Sequence, residues 1–449
     1  MTGLQIKVGN NPMDTLVKKK PDDDTQQGPS LTEAFYVWTH IGFLSFGGPA
    51  AQIALMHRII VDEKKWLSEQ QFLNALSFCM LLPGPEAMQL ATYSGWRLHG
   101  VLGGLIAGLM FVIPGAVIVL VLAMTYAAYG SVPLVETVFF GIKAAVLVIV
   151  IEALLRVSKK ALQGLEHWAL AGFAFVAIFF LALPYPLIVL LAALYGFVRM
   201  PATHVSSVEA VVRPQLGVTI KTVILWLLIW LLPIIGLTVV LGEGQILSDI
   251  GWFFSKLAVV TFGGAYAVLA YMGQDVVVAH GWLDAGQMMD GLGLAETTPG
   301  PLILVTEFVG YLAAYQKGGQ AAFAMGVFGA LVALWATFAP CFMWIFAGAP
   351  YIEWINHQPR LKGALTGITA AVVGVILNLS IWFSLHVFFA KVELKQHGVL
   401  HLWVPDLATL DWHVVAVAVI CGMLLLRLHW KIPGVLAIAA TLALILRNI

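Results

Sequence analysis

Apolar runs of about 20 residues, the length needed to cross a hydrocarbon core of roughly 30 Å, recur along almost the whole chain. The clearest are Val101 to Tyr129, Pro133 to Val157, Thr219 to Gly242, Gln320 to Gly348 and Leu361 to Phe389. Two shorter pairs, His167 to Leu183 with Tyr185 to Val198 and Trp412 to Leu426 with Ile432 to Leu446, read as tight helical hairpins turning at Pro184 and near Pro433. These runs are apolar on every face. A barrel would instead alternate apolar and polar residues in strands of about ten, so the spans are helical. The pattern predicts an all-α polytopic integral membrane protein.

Composition agrees: 60% of the 449 residues are hydrophobic and 11% charged, against about 25% charged in an ordinary soluble domain. The first 30 residues depart from the rest, with Lys18, Lys19, Lys20 and Asp22 to Asp24 and no apolar core. They read as a cytoplasmic tail rather than a cleavable signal. Cys79, Cys341 and Cys421 stand alone inside apolar segments, with no spacing for a disulfide framework or a zinc site. A formal net charge of zero gives no reason to expect a nucleic-acid partner. The expected surroundings are membrane lipid, and no cofactor is expected.

The chain repeats itself. Phe46, Gly47, Gly48 recurs as Phe262, Gly263, Gly264, and Pro83, Gly84, Pro85 as Pro299, Gly300, Pro301, every member displaced by 216 residues. The same displacement pairs Trp66 with Trp282, Leu67 with Leu283, Gln71 with Gln287, Asn74 with Asp290, Ala54 with Ala270 and Met56 with Met272. From average usage a Pro-Gly-Pro arises about once in 6,000 positions, so two copies in register with a second motif mark a duplication. Each half reads as a glycine-broken helix, an amphipathic stretch, a helix broken at Pro-Gly-Pro and four further spans. The expected organisation is a tail (1–30), a first repeat (31–200), a cytoplasmic linker (201–218), an unpaired connecting helix (219–243) and a second repeat (244–449). If each broken element crosses once, there are about thirteen spans and the unpaired helix inverts the second half, as in many secondary transporters. If the Pro-Gly-Pro elements are re-entrant, eleven spans remain and the repeats are parallel.

Leu67 to Leu82 and Pro85 to Arg97 are each too short to span at about 1.5 Å per residue. Pro83 and Pro85 also remove two backbone donors, so the helix must break between them. Pro85 and Pro301 suit the first position of a new helix. Pro-Gly-Pro therefore leaves free N–H groups and a positive dipole end inside the protein, where anions bind. Irregular backbone at membrane depth is tolerated only where it is buried in protein or lines a cavity. A doubled pair of breaks accordingly points to a midplane site. Its candidates are Gly47, Gly48, Pro83, Gly84 and Pro85 with Gly263, Gly264, Thr298, Pro299, Gly300 and Pro301. The alternative for the glycines is close helix packing.

Three basic residues lie within or beside the spans: His40 and Lys256, which the repeat pairs with each other, and Lys143. Intramembrane ionisable groups mark pathways by default, and a dianion needs such partners. Equally open is that Lys256 reaches to an interface and His40 is a hydrogen-bonded core residue. Glu86, Asp290, Glu296 and Glu307 are candidates for proton coupling, or for ion pairs with nearby cations.

Several stretches carry a family likeness: Phe46, Gly47, Gly48, Pro49; Leu81, Leu82, Pro83, Gly84, Pro85; Gln89 to Tyr93; Gly95, Trp96; and, in the second half, Phe262 to Tyr266 and Leu294 to Pro301. In these the chain resembles the chromate ion transporter family of the long, two-domain type, over about residues 31 to 449. The resemblance implies a multi-pass protein of the bacterial inner membrane that exports chromate from the cytoplasm and confers resistance, with recognition of the similarly shaped sulfate dianion. Ala265 stands where the first half has Pro49, so the half-sites are not equivalent. No Walker-type Gly-x-x-x-x-Gly-Lys-Ser/Thr loop occurs, which points to a secondary transporter rather than an enzyme. The competing readings are a carrier for sulfate or another oxyanion, or an anion-selective channel. An intramembrane chromate reductase would need cofactor ligands that the sequence does not offer.

Overall fold

The computed structural model describes residues 28–200, 216–262, 265–356 and 358–447. Most of the expected tail, most of the expected linker, and Gly263 and Gly264 lie outside the described residues. Helices follow in the order α1 (Leu31–Leu44), α2 (Gly48–His57), α3 (Glu69–Cys79), α4 (Glu86–Tyr129), α5 (Pro133–Ala161), α6 (Leu165–Phe179), α7 (Tyr185–Arg199) and α8 (Leu216–Leu241). The second half continues with α9 (Ile246–Val260), α10 (Ala265–Gln274), α11 (Ala285–Thr297), α12 (Val305–Lys317), α13 (Ala322–Gly348), the short α14 (Ile352–Asn356), α15 (Pro359–Phe388), α16 (Trp412–Gly422) and α17 (Ile432–Arg447). Among the described residues, five helical segments are long and apolar enough to cross a membrane: Glu86–Tyr129, Pro133–Ala161, Leu216–Leu241, Gly319–Tyr351 and Pro359–Phe388. The protein is a multi-pass membrane protein built from helices.

The all-helical expectation is corrected in one place. Val392–His397 (β1) and Leu400–Pro405 (β2) pair antiparallel around Gly398, whose φ is +64°. After the apolar run ends at Phe389, polar and apolar residues alternate along Val392, Glu393, Leu394 and Lys395, the period of a strand exposed on one face. The His401 N–H donates to the Phe180 carbonyl, which pins the hairpin over the α6–α7 turn.

Local signals explain why the repeat keeps certain polar residues. Ser68 Oγ accepts from the Gln71 N–H while Gln71 Oε1 accepts from the Ser68 N–H. Asp284 and Gln287 make the same reciprocal pair at the start of α11. Each is a capping box that satisfies two otherwise orphaned donors. The 216-residue correspondence of Gln71 with Gln287 is therefore a correspondence of helix starts.

The broken elements double back. α1 ends at Ser45, and the chain turns through Gly47 (φ +85°) and Gly48 (φ +77°), a left-handed stretch that glycine adopts without steric cost. It returns through α2 until Lys64 Nζ lies 2.8 Å from Glu33 Oε1, level with the start of α1. α3 then runs inward to Pro83–Pro85. The short arm of α4 (86–98) runs outward again, so that the His99 ring lies 2.7 Å from the Pro29 carbonyl at that same end. At His99 and Gly100 the backbone leaves helical geometry, and the long arm (101–129) lies antiparallel on the short one, Gly108 facing Thr92 and Gly103 facing Gly95. The second half repeats the pattern. α11 runs inward to Pro299–Pro301, α12 outward, and α13 lies antiparallel on α12 with Gly329 against Gly310. The long arm of α4 reaches α11 near its start, where Tyr126 bonds Asp290, whereas the far end of α13 meets the beginning of that arm, Phe346 against Gly104.

Small residues let these helices touch backbone to backbone, the packing mode available where no water is expelled between helices. Gly141 of α5 meets Ala439 of α17, Gly196 of α7 meets Gly363 of α15, and Gly115 of α4 meets the Pro299 carbonyl. A Cβ at Gly115 would overlap that carbonyl and stand 2.7 Å from Leu304 Cδ1. Gly115→Ala should therefore cost about 1–3 kcal/mol, the usual scale of overpacking, read as a lower melting temperature of the purified protein. Gly172→Ala, in α6 with nothing within 4 Å, should leave the melting temperature unchanged or raise it. Equal effects of the two would remove Gly115 as a packing constraint.

Candidate functional site

The chain breaks pair across the two halves. The Gly84 N–H donates to the Thr261 carbonyl at 2.9 Å, and the Gly300 N–H donates to the Ser45 carbonyl at 2.8 Å. Ser45 and Thr261 are 216 residues apart, as are Gly84 and Gly300, so each half's Pro-Gly-Pro is bonded to the other half's glycine break. The flanking prolines have no N–H, which leaves the glycine as the one donor within each motif. Gly84 (φ +117°) and Gly300 (φ +91°) hold a backbone that side chains disfavour. Ser45 and Thr261 end their helices alike, each hydroxyl donating to the carbonyl four residues back, Ile41 and Leu257. Pro83, Gly84, Pro85, Pro299, Gly300 and Pro301 are all buried, as is Thr298, whose hydroxyl donates to the Ala295 carbonyl.

The helix starts differ from expectation in one respect. Pro85 and Pro301 are extended N-caps, at ψ 104° and 136°, not first helical residues. Glu86 then opens α4 directly and lies in its first turn, where a carboxylate complements the dipole. In the second half a 3-10 turn, Leu302–Leu304, intervenes before α12. The two half-sites have the same breaks and different helix onsets.

Two buried amides reinforce the first half. Gln52 Nε2 donates to the Gly300 carbonyl at 2.6 Å and lies 3.3 Å from the Ser45 carbonyl. Gln89 Nε2 donates to the Pro83 carbonyl at 2.7 Å. Neither Oε1 has a hydrogen-bond partner among the described residues. Neither glutamine was among the candidate site residues. The signal was available, because the repeat places Val268 and Val305 at the corresponding positions, and a buried amide facing an apolar counterpart marks a position where the halves have diverged in role.

The expected cations are not gathered around the breaks. His40 is exposed on α1. Lys256 is exposed on α9 and lines a cavity of about 270 Å³ with Tyr185, Tyr271 and Asp275. Lys143, on α5, lies 3.4 Å from Asp290 Oδ2 at a larger cavity of about 510 Å³. Of the four candidate acids, Asp290, Glu296 and Glu307 belong to the second half. Glu296 Oε1 accepts from the Tyr266 hydroxyl at 2.9 Å. Glu307 is 1% exposed and its Oε2 has no hydrogen-bond partner among the described residues.

Residues 32–197 and 248–445 each match the family described as Chromate transporter. The chain belongs to the chromate transporter family. The two matched stretches fall on the two repeats of this family member and leave α8 between them. The chain is 29% identical to the chromate transport protein of Cupriavidus metallidurans, over 80% of this chain and 85% of that one. It is 31% identical to the chromate transport protein of Pseudomonas aeruginosa (80% and 83%) and 31% identical to the probable chromate transport protein of Synechococcus elongatus (77% and 83%). No solved structure matches.

If the breaks form the site, Pro83→Ala with Pro299→Ala should abolish chromate transport while the protein still inserts, since either alanine restores an N–H and lets the helix run on. Chromate efflux at the wild-type rate from cells expressing the double variant at normal level would exclude these breaks from the pathway.

Proposed function

We propose that this protein is a secondary transporter that moves chromate out of the bacterial cytoplasm across the inner membrane, giving chromate resistance. Its anion pathway runs between the four hairpin tips. The observation that carries the reading is the reciprocal pair of bonds, Gly84 to Thr261 and Gly300 to Ser45, in a chain of this family. Interrupted helices that meet deep in the protein offer N-terminal backbone donors to an anion away from bulk water. Gly47, Gly48, Gly263, Gly264, Thr298 and the two Pro-Gly-Pro motifs are the proposed contacts, with Lys143 and Lys256 on the approaches.

The proposed membrane arrangement has nine crossings and four re-entrant hairpins, in place of thirteen or eleven crossings. The crossings are the long arm of α4, then α5, α6, α7, α8, α13, α15, α16 and α17, of which the shorter α6, α7, α16 and α17 require a locally thinned bilayer. The two hairpins of the first half enter from one face and those of the second half from the other, with α8 as the inverting helix. Charge supports an orientation. Arg58, Lys64, Lys65, Arg97, Lys159 and Lys160 belong to the face on which α1 begins, whereas Lys317, Lys391 and Lys395 belong to the opposite face along with Glu136, Asp284 and Glu393. Basic residues stay on the cytoplasmic side, so α1 begins in the cytoplasm. The three native cysteines are buried and give a quiet background for labelling. Lys64→Cys should react with an impermeant maleimide only in inside-out vesicles and Lys317→Cys only in right-side-out ones. Labelling of both from one side would reject the arrangement.

Moving one charge through 100 mV is worth about 2.3 kcal/mol. Expulsion of a dianion from a negative interior therefore gains roughly 4.6 kcal/mol, enough for about a thousandfold gradient. Export needs no obligatory proton partner. Glu86, Asp290, Glu296 and Glu307 are the proposed carriers if protons are coupled, and Glu307 is the strongest of them because no counter-charge among the described residues holds it. The direct test is flux into inside-out vesicles with chromate, sulfate and phosphate compared. Chromate should accumulate with a negative vesicle exterior and saturate. Uptake no greater than in vesicles lacking the protein would overturn the reading, and faster sulfate than chromate flux would reassign the cargo.

A further inference from the structure

A cavity with a charged floor lies away from the hairpin tips. It occupies about 510 Å³ and is lined by Tyr126, Glu136, Lys143, Asp284, Gln287 and Asp290, among others. On the proposed orientation it opens to the periplasmic face. At its floor Lys143 Nζ stands 3.4 Å from Asp290 Oδ2, and the Tyr126 hydroxyl donates to the same oxygen at 2.7 Å. Two donors thus converge on one anionic oxygen, the way an oxyanion is held. The Asp290 side chain is 5% exposed, and its Oδ1 has no hydrogen-bond partner among the described residues.

Three further observations bear on what this pair is for. First, the Lys143–Asp290 separation exceeds the roughly 2.7–2.9 Å of a tight charge-assisted bond, so the ammonium is held loosely. Second, room for it is made by a missing side chain, since a Cβ at Gly286 would lie 2.9 Å from Lys143 Nζ. Third, the repeat places Asn74 at the position of Asp290, on the same turn of the equivalent helix. An inward-running arm of this kind is thus compatible with an amide there, and the carboxylate answers some other demand.

We propose that Asp290 is a built-in competitor for the transported anion at Lys143. In the closed arrangement its carboxylate occupies the place that one oxygen of a tetrahedral oxyanion takes when the anion leaves the hairpin tips. The anion displaces Asp290 from Lys143 and Tyr126, and the return of Asp290 then expels the anion into the cavity. Glu136 and Asp284 farther out disfavour its re-entry. The cavity is an exit station, with one cation set against three acids. This inference rests on the reading of the protein as an oxyanion exporter.

The test uses the full chain in lipid nanodiscs and vesicles, with radiolabelled chromate as the probe. Asp290→Asn should tighten chromate binding by roughly fivefold, the upper end of the scale for a partly exposed ion pair, and slow turnover, because the bound anion is no longer pushed off. Lys143→Gln in the same background should remove the gain. Binding by D290N no tighter than wild type, or a gain that survives the loss of Lys143, overturns the proposal while leaving the transport reading in place. Wild-type protein that neither binds nor moves chromate, sulfate or phosphate overturns the transport reading, and this inference with it. A purely structural ion pair predicts a lower melting temperature for D290N and no gain in affinity. Should D290N not insert, Lys143→Gln alone decides the matter: it must weaken chromate binding, and unchanged binding overturns the proposal.

Discussion

Everything in this structure leans on two backbone hydrogen bonds, from Gly84 to Thr261 and from Gly300 to Ser45. A broken helix deep in a membrane protein exposes amide groups where no water is at hand, and each unpaired group costs several kcal/mol. Pro-Gly-Pro reduces the problem by deleting two donors and leaving one. The remaining N–H must still find a carbonyl, and in both halves it finds the one at which the other half's helix ends. The halves are thereby joined at their weakest points. Any movement that separates the tips has to exchange these bonds for others.

Around that symmetric knot the halves have diverged. Gln52 and Gln89 buttress the tips from the first half, with Val268 and Val305 opposite them in the repeat. The buried carboxylates Asp290, Glu296 and Glu307 all belong to α11 and α12. Among the described residues the first half carries the amides that buttress the tips and the second the fully buried carboxylates. A duplicated transporter gains from such division, because an ionisable group placed on both sides of a narrow site would repel its copy and increase the cost of dehydrating the path.

The cations show the limit of pattern reading. His40 and Lys256 are related by the repeat, which encouraged their grouping with Lys143 about one anion. They lie instead at separate places, Lys143 paired with Asp290 and Lys256 beside Asp275 in its own cavity. Helical period tells which face of a helix a residue occupies, not how far that face lies from a second helix distant in sequence. The doubling back of α1–α2 and of α3 with the short arm of α4 was hidden for a related reason. A glycine or proline break marks where a helix stops, and whether the chain then continues across or returns depends on what it packs against. Here the return is marked by Lys64 meeting Glu33 and by His99 meeting the Pro29 carbonyl.

By itself the sequence determined the membrane environment, the helical character of the spans, the duplication, the breaks and the unpaired α8. All of these follow from local composition or from self-comparison at one displacement, and local chemistry is what a linear sequence records. The tertiary structure decided which break answers which, that the broken elements return rather than pass through, that the chain after Phe389 forms a strand pair, and that Lys143 meets Asp290. Apart from that local hairpin, each of these is a contact between segments far apart in the chain, which a linear pattern does not bring together.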